Sequence, residues 1–110
     1  DFKSTADASP EELSRSVLKW GYHRQASWYP RALQAVGMES SAFVLMAVEK
    51  TAPHIVTPAN VAAQAMAVGR AECDKALAEY VKCTKNKEWP CYTKGIYELD
   101  LPEWAYEKAV

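Results

Sequence analysis

The sequence predicts an α/β fold, in which strands and helices alternate along one chain. The run Ala42–Val48 is uninterrupted and apolar, with the length of a buried strand. Two stretches with apolar residues at helical spacing flank it, and each begins at a proline that follows Ser or Thr. The resulting order of strand, helix, strand, strand and helix is typical of α/β proteins.

The first 37 residues predict one short strand followed by two helices. Residues 1–5 predict a short strand with Phe2 toward the core. Ser9 is expected to cap a helix that starts at Pro10, with Glu12 closing a capping box. Gly21 separates this helix from a second one, which ends near Gly37 and should kink or lose a turn at Pro30.

The back half predicts one more strand and one long helix. His54–Val56 is the second strand candidate, and Thr57-Pro58 is expected to open a helix that runs to about Lys85. The tail predicts a short strand near residues 96–99 and a last helical turn from Pro102. Trp89 and Trp104 are expected to anchor a core or an interface.

Composition narrows the class of protein. The chain has 110 residues, 49% of them hydrophobic and 25% charged, with a net charge of -1. It is expected to form a single domain over residues 1–110, and disorder or a disulfide-dense miniprotein is excluded. No apolar run approaches a membrane span, and the first residues, Asp1-Phe2-Lys3, do not have the pattern of a signal peptide, so a cytoplasmic protein without a membrane partner is expected. Three cysteines without zinc-site spacing indicate idle thiols in a reducing compartment. The chain begins without Met, so we expect upstream sequence.

Asp1 and Lys3 form the first candidate site. Side chains two apart on a strand share one face, which places a carboxylate beside an ammonium group. A carboxylate can hold Mg²⁺, and a lysine can orient water or offset charge on a phosphate, as phosphodiester hydrolysis requires. The alternative is a solvated strand edge, because acid-x-Lys triplets are common by chance.

A second candidate lies on the helix after Gly21. Gln25 and Tyr29 are one helical turn apart, so both could reach the same phosphate, or they could be an ordinary half-buried pair. Arg24, Trp28 and Arg31 form an adjoining stripe that suits a nucleic-acid backbone or base, or an ordinary helix surface.

These residues occur in segments that together resemble one family. The segments are DFKST (1–5), GYHRQASWY (21–29), FVLMAVEK (43–50), EWP (88–90) and LPEWA (101–105). In this order they resemble the C-terminal part of RecE-type exonucleases (exodeoxyribonuclease VIII), which belong to the PD-(D/E)xK nuclease superfamily and are related to lambda exonuclease.

The resemblance implies the C-terminal half of a PD-(D/E)xK, or restriction-endonuclease-like, core: a mixed sheet flanked by helices, as part of a larger nuclease domain. By position, Asp1 matches the second metal-binding acid, Lys3 the catalytic lysine, and Gln25 and Tyr29 the QxxxY motif. The first metal-binding Asp of the family has no counterpart within the chain.

The activity implied is Mg²⁺-dependent exonuclease digestion of duplex DNA from the 5′ end, in phage-type recombination, with Mn²⁺ as the alternative metal. A ring-shaped homo-oligomer and a single-strand annealing protein are the implied partners. By itself this segment is expected to be inactive. A repair or defence endonuclease on the same core, and a non-catalytic α/β binding module, remain the alternatives.

Overall fold

The computed structural model describes residues 1–40 and 42–108 of the chain. Contacts along the chain divide it into two units, Asp1–Glu79 and Tyr80–Val110. The first unit contains all the candidate site residues. Within the described residues, no helix is both long enough and apolar enough to cross a bilayer.

Three strands form one mixed sheet in the order β1-β2-β3. β1 and β2 are parallel, and β2 and β3 are antiparallel. A parallel pair needs a crossover connection, which two successive helices provide here. The predicted α/β class, a mixed sheet flanked by helices, is therefore confirmed. The elements are β1 (Phe2–Thr5), α1 (Pro10–Trp20), α2 (Tyr22–Ala35), β2 (Val44–Glu49), β3 (Val56–Asn60), α3 (Ala63–Asn86) and α4 (Glu103–Lys108).

The start of α1 follows the prediction with one exception. The Ser9 hydroxyl accepts the Glu12 N–H at 3.4 Å, and Pro10 occupies the first turn. Glu12 does not return a bond to Ser9, because its carboxylate pairs with Arg15 at 2.5 Å. Asp7 accepts the Ser9 N–H instead, at 2.8 Å, and bonds from Ser9 hold the pKa of Asp7 below its usual range. The predicted capping box is therefore confirmed for the Ser9 side chain and wrong for the Glu12 side chain.

The connection between α1 and α2 is a single residue. Gly21 has a φ of 70°, the left-handed conformation that ends helices, and α2 begins at the next residue. α2 then continues through Pro30 to Ala35, so the lost turn expected there does not occur. A proline removes only its own N–H bond, and the neighbouring turns maintain the helix.

The two faces of the sheet differ in burial. Lys3 is paired with Ala47 across the β1–β2 ladder, so it shares a face with the buried residues Leu45 and Ala47. The opposite face carries Phe2, which is 78% exposed. The prediction that Phe2 faces the core was therefore wrong, and the covered face is the one that holds Lys3.

The boundary between β3 and α3 also differs from the prediction. Thr57 and Pro58 lie within β3, opposite Ala47 and Met46, and α3 begins only at Ala63. Thr-Pro is a common helix start, but proline is equally tolerated on an edge strand such as β3. The side chain of Thr57 donates to the carbonyl of Ala8 at 2.7 Å, which secures this edge.

The second unit contains the end of α3, an extended segment and α4. The predicted strand at residues 96–99 is absent from the described structure, whereas the helix after Pro102 is present as α4. Trp89 and Trp104 are exposed rather than core residues. Trp89 packs on the Tyr80 ring with centroids 5.6 Å apart, and the ammonium of Lys108 lies over Trp104.

Candidate active site

Asp1 and Lys3 lie side by side at the start of β1. The Lys3 ammonium is 3.1 Å from a carboxylate oxygen of Asp1, and the two side chains are 21% and 26% exposed. Two hydrogen bonds to β2 hold the Asp1 backbone, because its nitrogen donates to the Val44 carbonyl and its carbonyl accepts the Met46 N–H, each at 2.8 Å. The structure thus brings the predicted pair together on a fixed strand.

Tyr22 completes this group, although the sequence reasoning did not single it out. The Lys3 ammonium lies 4.6 Å from the centre of the Tyr22 ring. A cation at this distance from an aromatic face is attracted to it by roughly 0.5–1 kcal/mol where water has access. Tyr22 precedes Gln25 by three positions and Tyr29 by seven, so extending that helical stripe by one turn would have found it.

A cleft of about 460 Å³ opens next to Lys3 and Tyr22. Two of the residues that line it are Lys50, which directly follows β2, and Trp20, whose ring is exposed. The backbone N–H of Lys50 donates to the Thr5 carbonyl, which keeps this corner next to the end of β1. The volume lies within the range of small-molecule sites.

Gln25 and Tyr29 lie on a neighbouring part of the same unit. They line a mainly apolar groove of about 430 Å³ between α2 and α3. The side-chain carbonyl oxygen of Gln25 is shielded from solvent and has no hydrogen-bond partner in the structure. The Tyr29 ring packs against Phe43, just before β2, at a centroid distance of 6.2 Å. Across the described residues, no hydrogen bond joins this pair to Asp1 or Lys3.

The predicted DNA-binding stripe is in contact with acidic residues of α3. Arg24 pairs with Glu72 at 3.1 Å, and Arg31 pairs with Asp74 at 2.5 Å. The Arg31 guanidinium also lies 5.5 Å from the centre of the Trp28 ring. In this conformation the two arginines join α2 to α3, and a phosphate would have to exchange with a carboxylate to reach them.

The donor atoms near Lys3 suit a hard metal ion. Mg²⁺ prefers carboxylate oxygens and retains several waters, and the Asp1 carboxylate is such a ligand. Within residues 1–40 and 42–108, no group of three His, Cys, Asp or Glu side chains could enclose a metal. Asp1 is the residue of this group that would hold such an ion.

The mixed α/β fold agrees with a PD-(D/E)xK-type domain, and the match to a family model assigns the chain to that class. Residues 1–99 match the family described as PDDEXK-like domain of unknown function (DUF3799), and the chain belongs to that family. No curated protein matches the chain. The superfamily proposed from the sequence motifs is thus confirmed.

Proposed function

We propose that this domain takes part in Mg²⁺-dependent hydrolysis of phosphodiester bonds in duplex DNA. The observation that carries the proposal is the Asp1–Lys3 pair, 3.1 Å apart on a strand of a PDDEXK-like domain. Asp1 would hold the Mg²⁺, which would polarise the phosphate and lower the pKa of a water molecule bound to the ion. Mn²⁺, with similar oxygen preferences, is the alternative ion.

Each site residue then has a defined role. Asp1 would supply one metal ligand, and the resemblance implies a further metal-binding Asp that has no counterpart among residues 1–110. The Lys3 ammonium faces the charge that develops on the phosphate, where such stabilisation is most effective. Gln25 and Tyr29 steady the phosphate or the water. Arg24, Arg31 and Trp28 (the DNA-binding stripe) contact the DNA backbone and a base after exchange with the α3 carboxylates.

Within this superfamily we propose a RecE-type exonuclease that degrades one strand from its 5′ end. The support is the order of motifs described above, which extends over nearly the whole chain. A cytoplasmic ring of identical subunits and a single-strand annealing partner belong to the same proposal and rest on that resemblance alone.

DNA topology separates the exonuclease from its alternatives. The native protein with Mg²⁺ should digest linear duplex DNA labelled at one 5′ end and release short labelled products first. Closed circular DNA of the same sequence should remain intact. Cutting of the circle would instead indicate an endonuclease, and binding of DNA without cleavage of either substrate would indicate a binding module.

A further inference from the structure

A buried histidine lies outside the site described so far, where α1, α2 and α3 meet. Only 5% of His23 is exposed. Its Nδ1 atom is 3.3 Å from the carbonyl oxygen of Val17 in α1, and its Nε2 atom is 3.1 Å from a carboxylate oxygen of Glu72 in α3. The two ring nitrogens of His23, which lies in α2, therefore contact two other helices: Nδ1 contacts α1 and Nε2 contacts α3.

Both of these partners can only accept hydrogen bonds. A carbonyl oxygen has no hydrogen to give, and an ionised carboxylate has none either. Arg24 donates to the same Glu72 oxygen at 3.1 Å, and this bond is the largest cause that holds the pKa of Glu72 below its usual range. Glu72 is thus the ionised partner. Both contacts can be hydrogen bonds at the same time only when each nitrogen of His23 carries a hydrogen, as in an imidazolium ring.

The surrounding backbone leaves this junction little freedom. The Val17 carbonyl also accepts the N–H of Gly21, the residue that ends α1. A Cβ atom at Gly69 of α3 would lie 2.3 Å from the His23 carbonyl oxygen, so α3 passes closer to α2 here than a residue with a side chain would allow. The other titratable group at the junction is Cys73, whose thiol donates to the Arg24 carbonyl at 3.8 Å.

We infer that His23, as an imidazolium, is the positioning residue that fixes the first turn of α2 and thereby holds Tyr22 against Lys3. Tyr22 is the neighbour of His23 in that turn, and its ring faces the Lys3 ammonium. Loss of the ring proton leaves a bare nitrogen opposite an acceptor and breaks one of the two bonds. The part of this inference that concerns Lys3 in catalysis rests on the proposed function.

Nuclear magnetic resonance tests the geometric part without any nuclease assay. Ring nitrogen-15 signals report protonation of His23, and the Tyr22 ring should shift the Lys3 side-chain protons upfield. As the pH is raised, the upfield shift should decline together with the His23 proton. The exposed His54 provides an internal control in the same spectrum. A Lys3 shift that persists after His23 has become neutral would overturn the inference.

Variants extend the test to activity. His23→Gln should abolish the pH response of the Lys3 signal and lower kcat of the native protein by about ten- to a hundredfold, as for other supporting residues, with KM for DNA little changed. His54→Gln should change neither readout.

If the Lys3 signal responds as expected but the native protein cleaves no DNA, the proposed function fails and the positioning role stands. An unchanged kcat in an active His23→Gln protein contradicts the catalytic part. Should His23→Gln not fold, the titration of the parent protein still decides the geometric part.

Discussion

At Gln25, stability and function place opposite demands on one side chain. Its carbonyl oxygen is buried without a partner, which in a folded protein typically costs about 1–3 kcal/mol. An apolar side chain of similar shape would avoid that cost. A polar group kept at such a position is typical of sites where stability is given up for activity.

Gln25→Met separates the two demands. The free energy of unfolding should rise by about 1 kcal/mol, because the unpaired oxygen is removed while the volume is kept. The cleavage rate should fall roughly a hundredfold if the amide serves the transition state. Urea denaturation and single-turnover cleavage measure the two effects. Gln64→Met, on the exposed side of α3, is the matched control and should change neither.

A rate for Gln25→Met close to that of the parent, within about threefold, would reduce Gln25 to a structural residue. Tyr29→Phe keeps the ring packed on Phe43 and removes only the hydroxyl. A cleavage rate within about threefold of the parent would likewise reduce Tyr29 to a structural residue.

Tyr22 gives a second prediction at the scale of single residues. Tyr22→Phe preserves the aromatic face beneath Lys3 and should keep nearly full activity. Tyr22→Leu removes the face and should lower kcat by about fivefold, the equivalent of roughly 1 kcal/mol. Tyr92→Leu, fully exposed in the second unit, serves as the control. Equal rates for the Phe and Leu variants would show that the ring supplies only bulk.

At the scale of elements, the crossing of α2 and α3 depends on Gly69. Within a helix, Gly→Ala normally stabilises by about 1 kcal/mol. Here the added methyl group would meet the His23 carbonyl at 2.3 Å, so we expect the opposite sign. Gly69→Ala should lower the thermal midpoint, while Ala71→Gly, at an exposed α3 position, should lower it only by the usual helix penalty. A raised midpoint for Gly69→Ala would show that the helices are not held this closely.

The same crossing should weaken in acid. The bond from Arg24, with smaller contributions from His23, lowers the pKa of Glu72 in the folded state below its ordinary value of 4.5. The stabilisation is therefore present above that value and is lost as the pH falls through the lower folded pKa. Glu72→Gln should flatten the pH dependence of stability in this acid range. Urea denaturation at several acid pH values measures it, and an unchanged slope would mean that the ion pair adds nothing.

Local signals predicted some elements well and others poorly. The start of α1 at Ser9 and Pro10, and its end at Gly21, depend on neighbouring residues and were read correctly. Thr57 and Pro58 were misread because the same dipeptide suits a helix start and an edge strand, and only the pairing with β2 decides between them. Helical periodicity could have added Tyr22 to the stripe of Gln25 and Tyr29, but it could not reveal that Tyr22 contacts Lys3 or that His23 contacts Glu72, because these pairs are distant in sequence.

At the scale of the whole molecule, the first unit alone brings the candidate groups together. β1 supplies the acid and the lysine, α2 supplies the aromatic face, and α3 supplies the carboxylates that pair with the α2 arginines. Family membership and the mixed sheet agree with this arrangement. The central claim is that the Asp1–Lys3 pair carries out metal-dependent hydrolysis.

Calorimetric Mg²⁺ binding and DNA cleavage, measured on the same preparations of the native protein, test that claim most directly. Lys3→Met keeps the length of the side chain and removes its charge, so Mg²⁺ binding should persist while cleavage falls by at least about a hundredfold. Asp1→Asn should weaken Mg²⁺ binding and abolish cleavage, since it removes a charged ligand. Lys50→Met is the control, because it also removes one lysine charge from the cleft wall but at a position away from Asp1. It should weaken DNA binding without abolishing cleavage. Normal cleavage by both the Asp1 and the Lys3 variants would contradict the account.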